Sequence, residues 1–510
     1  MGQAVGQGGF FFPKVYRESK EKVAECLKKG IQDLIESSRW SLADEFVAFI
    51  LRVDFLSFAD KTYPNPRKRN FIPVWFVICC QFVMKIHLEK SYLALGTLLK
   101  SGPVLSRIGF NVRHELGFNE LNKYDRETPV HQDAVRKFFK DTDPKSMREW
   151  FNVDLQKWFG RMGCFDTEGV YILDQSHLVV PRNDSYADAV YMPVDEHGQQ
   201  YAGLDKMGEK ERKALKYHPC YTLSTLLHLS FKKQAFHVAA YEFGPGNEDE
   251  LPQARRLIET FFKSHKKGDI KLLIADRGYV CGKFITWLKE KYGIDTLIPL
   301  KGNMHQHTDA IALSKLPDAN WVDVSTEAEH KKQQSVRACI IEKVSLWDDC
   351  QVELFTTVCE VTKVVKEIET QVNTFTLCST RKFDTASQVV DSYRLRTLTE
   401  EAFRHFKRGW KISDFPSPDR SLLEAHVGFT LTTYSLLQLY LMRNDLQDKT
   451  HKMIQTLKRE MHSTDQNLLV YADQFFARFS LKEFFKLTYK LPAEVQDKLA
   501  EAMETAIHQR

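Results

Sequence analysis

Apolar residues recur at helical spacing from about residue 17 to residue 160, so this stretch reads as a helical region, broken by the turn-rich Thr62-Tyr-Pro-Asn-Pro-Arg-Lys-Arg-Asn70. Amphipathic runs such as Glu21 to Ile35 give way to a nearly uniform apolar run, Phe71 to Met84, interrupted by Gln81. That run is too short to span a bilayer core of about 30 Å and predicts a buried helix. From Gly169 the pattern changes to short β-rich runs, VYILDQSHLVV, YTLSTLLHLS and AFHVAAYEF. A helix from Pro252 to Ser264, the strand KLLIAD ending at Asp276, a helix from Phe284 to Lys291 and the strand DTLIPL follow. Three consecutive strands and then alternating helix and strand predict a mixed α/β sheet with helices against its faces. Between about 301 and 370 the alternating segments VRACIIEKVSLW and CQVELFTTVCEV predict an antiparallel β insertion. The α/β pattern resumes with TFTLCST and a helix from about Ala386 to Trp410, stopped by the loop carrying Pro416 and Pro418. His426 to Leu441 predicts a buried core helix, and the last 60 residues read as helical with polar faces. No repeat at solenoid periods is present.

Length adds to this picture: 510 residues exceed what one core supports, so two to four domains of roughly 100 to 200 residues are expected. The composition, 43% hydrophobic and 27% charged, excludes a mainly disordered chain. Net charge is only +5, so any contact with nucleic acid must rest on local patches. The ten cysteines fall in no C-x-x-C pair, which argues for reduced thiols and against structural zinc. The opening MGQAVGQGGFFFPK lacks the features of a secretory signal, and Gly6 stands where a myristoylation motif needs Ser or Thr. A cytoplasmic, nucleoid-associated location is the expectation.

Candidate chemistry begins with Asp174, inside an apolar strand, and Asp276, which closes another where DRGY turns toward a helix. Ionised carboxylates are seldom buried without partners, so two on neighbouring strands need a cation. Mg²⁺, a hard ion that binds carboxylates and phosphates, suits them, although either Asp alone equally suits a turn. The third element is the helical segment Tyr393-Arg-Leu-Arg396-Thr-Leu-Thr-Glu400-Glu-Ala-Phe-Arg-His-Phe-Lys407. On a continuous α-helix Tyr393, Arg396, Glu400 and Lys407 fall at roughly 0°, 300°, 340° and 320°, a stripe about 60° wide. That stripe also suits a solvated face held by an Arg396–Glu400 pair.

These four residues match the Y-(2)-R-(3)-E-(6)-K signature, and the segment resembles insertion-sequence DDE transposases. YILDQS and LLIADRGY are similar to that family's first and second acidic motifs, in the expected order, and the resemblance spans about residues 165 to 442. Thr397 and Thr399 depart from it, standing where many relatives have Trp and Ile. The resemblance implies a ribonuclease-H-like core whose third carboxylate arrives on a late helix after an inserted β domain. It implies a catalytic and metal-binding set of Asp174, Asp276 and Glu400 with two Mg²⁺ ions, with Mn²⁺ as the substitute. Asp174 would bridge the ions, with Asp276 and Glu400 each completing one site. Arg396 and Lys407 would hold DNA phosphates, and Tyr393 would make a phosphate contact through its hydroxyl.

The resemblance also divides the chain. Residues 1–164 would be a helical DNA-binding region, 165–300 the first part of the core, 301–370 the insertion, 371–442 the second part of the core and 443–510 a C-terminal helical region. In related enzymes an aromatic residue of the insertion stacks on an extruded base. Trp321 and Trp347 are the candidates, with insertion core as the alternative. The basic runs Arg67-Lys-Arg69 and Lys206 to Lys216 suit phosphates or a solvated face, and His218 and His426 carry no ligand spacing. The partners implied are double-stranded DNA, comprising the element's terminal inverted repeats and its target, and a second copy in a synaptic homodimer. A nuclease that cuts without joining, or a DNA-binding protein that has lost catalysis, remains open.

Overall fold

The computed structural model describes residues 16–508 except 40, 69–71, 101–130, 183–184, 187, 202–203, 205–206, 231–234, 342–343, 345, 366–368 and 462–465. Its contacts separate Phe151–Lys407 from a second unit made of Met1–Trp150 with Arg408–Arg510.

The unit Phe151–Lys407 is built on one mixed sheet. Its strands are β1 (Val170–Val179), β2 (His218–Ser230), β3 (Ala235–Pro245), β4 (Leu272–Ala275) and β5 (Asp295–Pro299). They lie in the order β3-β2-β1-β4-β5; β2 pairs antiparallel with both β1 and β3, so it alone of the five runs opposite to the others, while β1, β4 and β5 pair in parallel. This is the mixed sheet that the pattern of strands and helices predicts, in the ribonuclease-H-like order that the family resemblance implies. All four residues of β4 are buried, as a strand covered on both faces must be. The helix α1 (Glu250–Phe261) places Ala254, Leu257, Ile258 and Phe261 against Leu173, Leu226 and Leu273. The spacing of those four positions is that of one helix face, and Leu257, Ile258 and Phe261 each contribute roughly 1.5–3 kcal/mol on burial.

The β insertion does not stand apart from this sheet. Strands β6 (Gln334–Ile341), β7 (Phe355–Val365) and β8 (Glu369–Ser379) continue it, because β8 pairs antiparallel with β5 and β7 and β6 follow in turn. After β8 come α2 (Ala386–Arg394) and α3 (Thr397–Arg404).

In the other unit the apolar runs become the expected buried helices, Val74–His87 and Arg420–Arg443. Glu424, fully buried, is held there by Arg148 Nε and Nη2 at 3.0 and 2.6 Å. Two sequence expectations need correction. The run Glu21–Ile35 is not one helix: helix Lys20–Lys28 ends and Leu34–Arg39 is a strand. Nor is the C-terminal region helical throughout, since Gln466–Ala472 and Phe475–Ser480 form a hairpin around Asp473, whose φ is 55°. The hairpin and Leu34–Arg39, with Arg17–Glu18, make a four-stranded sheet over Val23, Leu27, Leu468 and Val470. His426 is buried in this unit, its Nδ1 2.7 Å from Lys85 Nζ.

Candidate active site

Strand register sets the site. β1 and β4 are parallel with Leu173 opposite Ala275, so Asp174 and Asp276 occupy the next rung, side by side at the carboxyl ends of the paired segment. Adjacent strands lie about 4.8 Å apart, and residues on one rung share a face, so both carboxylates open on the same side. Asp276 caps the short 3₁₀ turn Arg277–Tyr279 by accepting from Arg277 N at 2.6 Å, and Asp174 Oδ1 accepts from Gln175 N at 2.9 Å. Burial pushes the Asp174 carboxyl up to about 7. Arg396 opposes the rise, and the negative charges of Asp276 and Glu250 add to it.

The segment bearing Glu400 is not one uniform helix. At Leu395 and Arg396 it tightens, with Arg396 N bonded to Tyr393 O at 2.9 Å and Thr399 N to Arg396 O at 3.0 Å, both i to i−3. At His405–Gly409 it loosens into a π-turn. The even 100° step behind the stripe of Tyr393, Arg396, Glu400 and Lys407 therefore fails at both places, and the four side chains do different things. Arg396 donates Nη2 to Asp276 Oδ2 and Nη1 to Glu400 Oε1, each at 2.9 Å, so one guanidinium bridges the second and third acids. Tyr393 is held in its phenol form by burial and by the charges of Asp276 and Asp174. Lys407 is further off, its Nζ donating to His197 O at 2.8 Å in the turn closed by the Val194–Gln200 bridge. Burial lowers the Lys407 ammonium to about 8.

Two neighbours escaped the sequence reading. Glu250, at the start of α1, lays its carboxylate over Gly278 of DRGY, in the space that a Cβ would fill. Burial and the adjacent Asp276 raise its pKa. Gln253, fully buried, accepts from Gln175 Nε2 at 2.9 Å and from Ser224, and donates to Thr222 Oγ1 at 2.9 Å and Glu248 Oε2 at 2.7 Å. It ties α1 to β1 and β2 beside Asp174. The signal for both was the helix-start sequence Asn247-Glu-Asp-Glu-Leu-Pro-Gln253, which places an acid and an amide one turn apart.

The remaining candidates are engaged structurally. Trp321 Nε1 donates to Ser314 O at 2.9 Å, and Arg337 lies over its ring at 4.5 Å, so stacking on a base would require it to release Arg337. Trp347 is half-buried against the main core cluster. Arg67 donates to Ala134 O at 2.6 Å and covers the Phe138 ring, while Arg69 and Lys206 lie outside the described residues. Lys213 pairs with Glu209 at 2.7 Å on an exposed helix, and His218 opens β2.

Among the described residues, no three His, Cys, Asp or Glu side chains are close enough, as placed, to hold a metal ion. The donor set nonetheless fits a hard divalent cation. It is all carboxylate oxygen, Asp174 is raised by burial and by its acidic neighbours, and the one charge joining Asp276 to Glu400 is a guanidinium. Arg396 stands where a cation would neutralise these acids.

Among the described residues, no helix is long and apolar enough to cross a membrane. No curated protein matches the chain. Residues 166–436, just over half the chain and spanning β1 through the helix Arg420–Arg443, match the family described as transposase DDE domain. The chain belongs to that transposase family.

Proposed function

We propose that this protein cuts and joins DNA strands at the ends of an insertion-sequence element, using Asp174, Asp276 and Glu400 to hold two divalent ions, Mg²⁺ or Mn²⁺. The observation that carries this reading is the register that sets Asp174 beside Asp276, with Arg396 linking Asp276 to Glu400. Bound there, the ions would supply activation of the attacking hydroxyl and charge neutralisation at the leaving oxygen of an in-line displacement.

The chain's own residues would do the rest. Glu400, with a side chain 61% exposed, is free to swing toward the two aspartates once Arg396 releases it. Arg396 would then offer its guanidinium to a phosphate, for which its planar fork is suited. Tyr393, kept protonated, would donate its hydroxyl to a phosphate oxygen. Lys407 would orient the 194–200 turn and bring one positive charge to the strand beside it. Residues 1–164 would recognise the terminal inverted repeats, and a homodimer would bring two ends together.

The test is incubation of the purified protein with Mg²⁺ and DNA carrying the element ends. Target-joined products are expected. Cleavage without joining would leave a nuclease, and binding without cleavage would leave a protein that has lost catalysis.

A further inference from the structure

At the other end of the sheet from the carboxylates lies a cavity of about 720 Å³, lined by the helix Gln156–Arg161, the 264–269 turn and Lys271. Five cations surround it: Lys157, Arg161, Lys266, Lys267 and Lys271. All five are exposed, and no carboxylate among the described residues lies within ion-pair distance of any of them. Two acids share the lining, so the local charge is five minus two, or +3. Neither acid opposes the lysines directly: Asp269 Oδ2 accepts from Lys266 N at 3.0 Å, and Asp166 Oδ1 lies 3.6 Å from His228 Nε2.

The backbone presenting these charges is fixed. Gly169, at φ 63°, meets the Asp269 carbonyl so closely that a Cβ would sit 2.7 Å from it, and Lys271 N donates to Gly169 O at 2.8 Å. Lys271 immediately precedes β4, whose far end leads into Asp276. Five residues at about 3.3 Å each separate the cavity from the acids by roughly 17 Å. That is about five phosphates along one strand of a duplex, measured along its axis.

We propose that this basic cavity is a second DNA-contact surface, binding the backbone of duplex DNA beyond the segment held at the carboxylates. The inference rests on the transposase reading and extends its DNA footprint. A pocket for a small anion would bury its donors. Here all five charges ride on long exposed side chains, which suits a polyanion whose phosphates come to them.

The test measures binding of a 40-base-pair duplex of arbitrary sequence by fluorescence anisotropy across a KCl series. The variant Lys266→Gln/Lys267→Gln/Lys271→Gln should flatten the slope of log affinity against log salt by about 2 to 3, at about 0.9 per lost phosphate contact. A control with the same charge loss on the exposed insertion surface, Lys315→Gln/Lys331→Gln/Lys332→Gln, should leave the slope within about 1 of wild type. An unchanged slope in the first variant, or an equal fall in the control, overturns the proposal while leaving the transposase reading intact. Failure of the wild-type protein to bind duplex DNA would defeat both. Calorimetry with inorganic phosphate separates the sources: saturable binding of free phosphate that the triple variant abolishes, with the DNA slope unmoved, would make this a small-anion site and overturn the proposal.

Discussion

Replacing Arg396 with Gln should tighten divalent-metal binding by the DNA-free protein. One guanidinium satisfies Asp276 and Glu400 through two bonds of 2.9 Å. A metal ion entering among the acids must displace it. The carboxylate partners are 38% and 61% exposed, so solvent screens both pairs, and each is worth only about 0.2–1 kcal/mol. Their combined loss costs the incoming ion roughly 1 kcal/mol, or about fivefold in affinity. Arg396→Gln removes that cost and also a repelling positive charge. Mn²⁺ titration followed by electron paramagnetic resonance should show affinity about fivefold higher than wild type. Arg396→Lys, able to reach only one acid, should fall between. DNA cleavage should nonetheless slow, because the phosphate contact is lost with the guanidinium. Unchanged or weaker Mn²⁺ binding in Arg396→Gln would refute the idea that the guanidinium occupies the place of the cation.

Other perturbations read out the same physical features. Asp174 titrates near 7 in place of 3.8, so between about pH 4 and 7 the folded state keeps a proton that the unfolded chain has lost, and stability falls as pH rises through that window. Asp174→Asn should remove this pH slope and stabilise the metal-free protein at pH 7 by about 1–2 kcal/mol, half the full linkage value because the group is only half-buried; thermal unfolding that shows a loss would count against it. Lys85, buried against His426 and lowered to about 7, has the opposite sign: the unfolded chain binds the extra proton between about pH 7 and 10.5, so stability rises with pH there. Lys85→Met should abolish that rise and gain about 1–2 kcal/mol at pH 7 in denaturant unfolding, after about 1 kcal/mol is lost from the unpaired His426; a destabilised variant would show that the pair is net favourable. Lys407→Ala should leave the salt slope of DNA binding unchanged, because the ammonium is committed to His197 O, and should speed proteolysis within residues 194–200. A fall of a full phosphate contact with an equally resistant loop would place Lys407 on DNA.

Much of the core was open to sequence reasoning because it rests on local periodicity. YILDQS and LLIADRGY read as strands bearing Asp174 and Asp276, and they are β1 and β4 with its following turn. The spacing from Tyr393 to Lys407 marked the right segment, yet its geometry was hidden. No Gly or Pro announces the tightening at Leu395–Arg396, and π-turns carry no sequence mark. Which partner Arg396 takes depends on Asp276, 120 residues away, and Lys407 on His197, 210 residues away. The helix-start sequence marked Glu250 as an acid one turn from Gln253, but its proximity to Asp276 was hidden for the same reason, since it arises only when α1 packs on the sheet. The hairpin at 466–480 was readable: NLLVYA and FFARFS are short apolar runs on either side of Asp473, carrying four aromatic residues in all, and only the helical stretches flanking them obscured it.

The central claim is that three carboxylates act on DNA as one unit. Single-turnover cleavage of a supercoiled plasmid carrying the element, in Mg²⁺, by wild type and by Asp174→Asn, Asp276→Asn and Glu400→Gln tests it most directly when affinity for the same DNA is measured in parallel. Each variant should lose on the order of 10³-fold or more in cleavage, the scale of removing groups that stabilise transferring phosphate, while binding DNA within about tenfold of wild type. Cleavage within about tenfold of wild type in any one of the three would contradict the assignment of that carboxylate to the reaction.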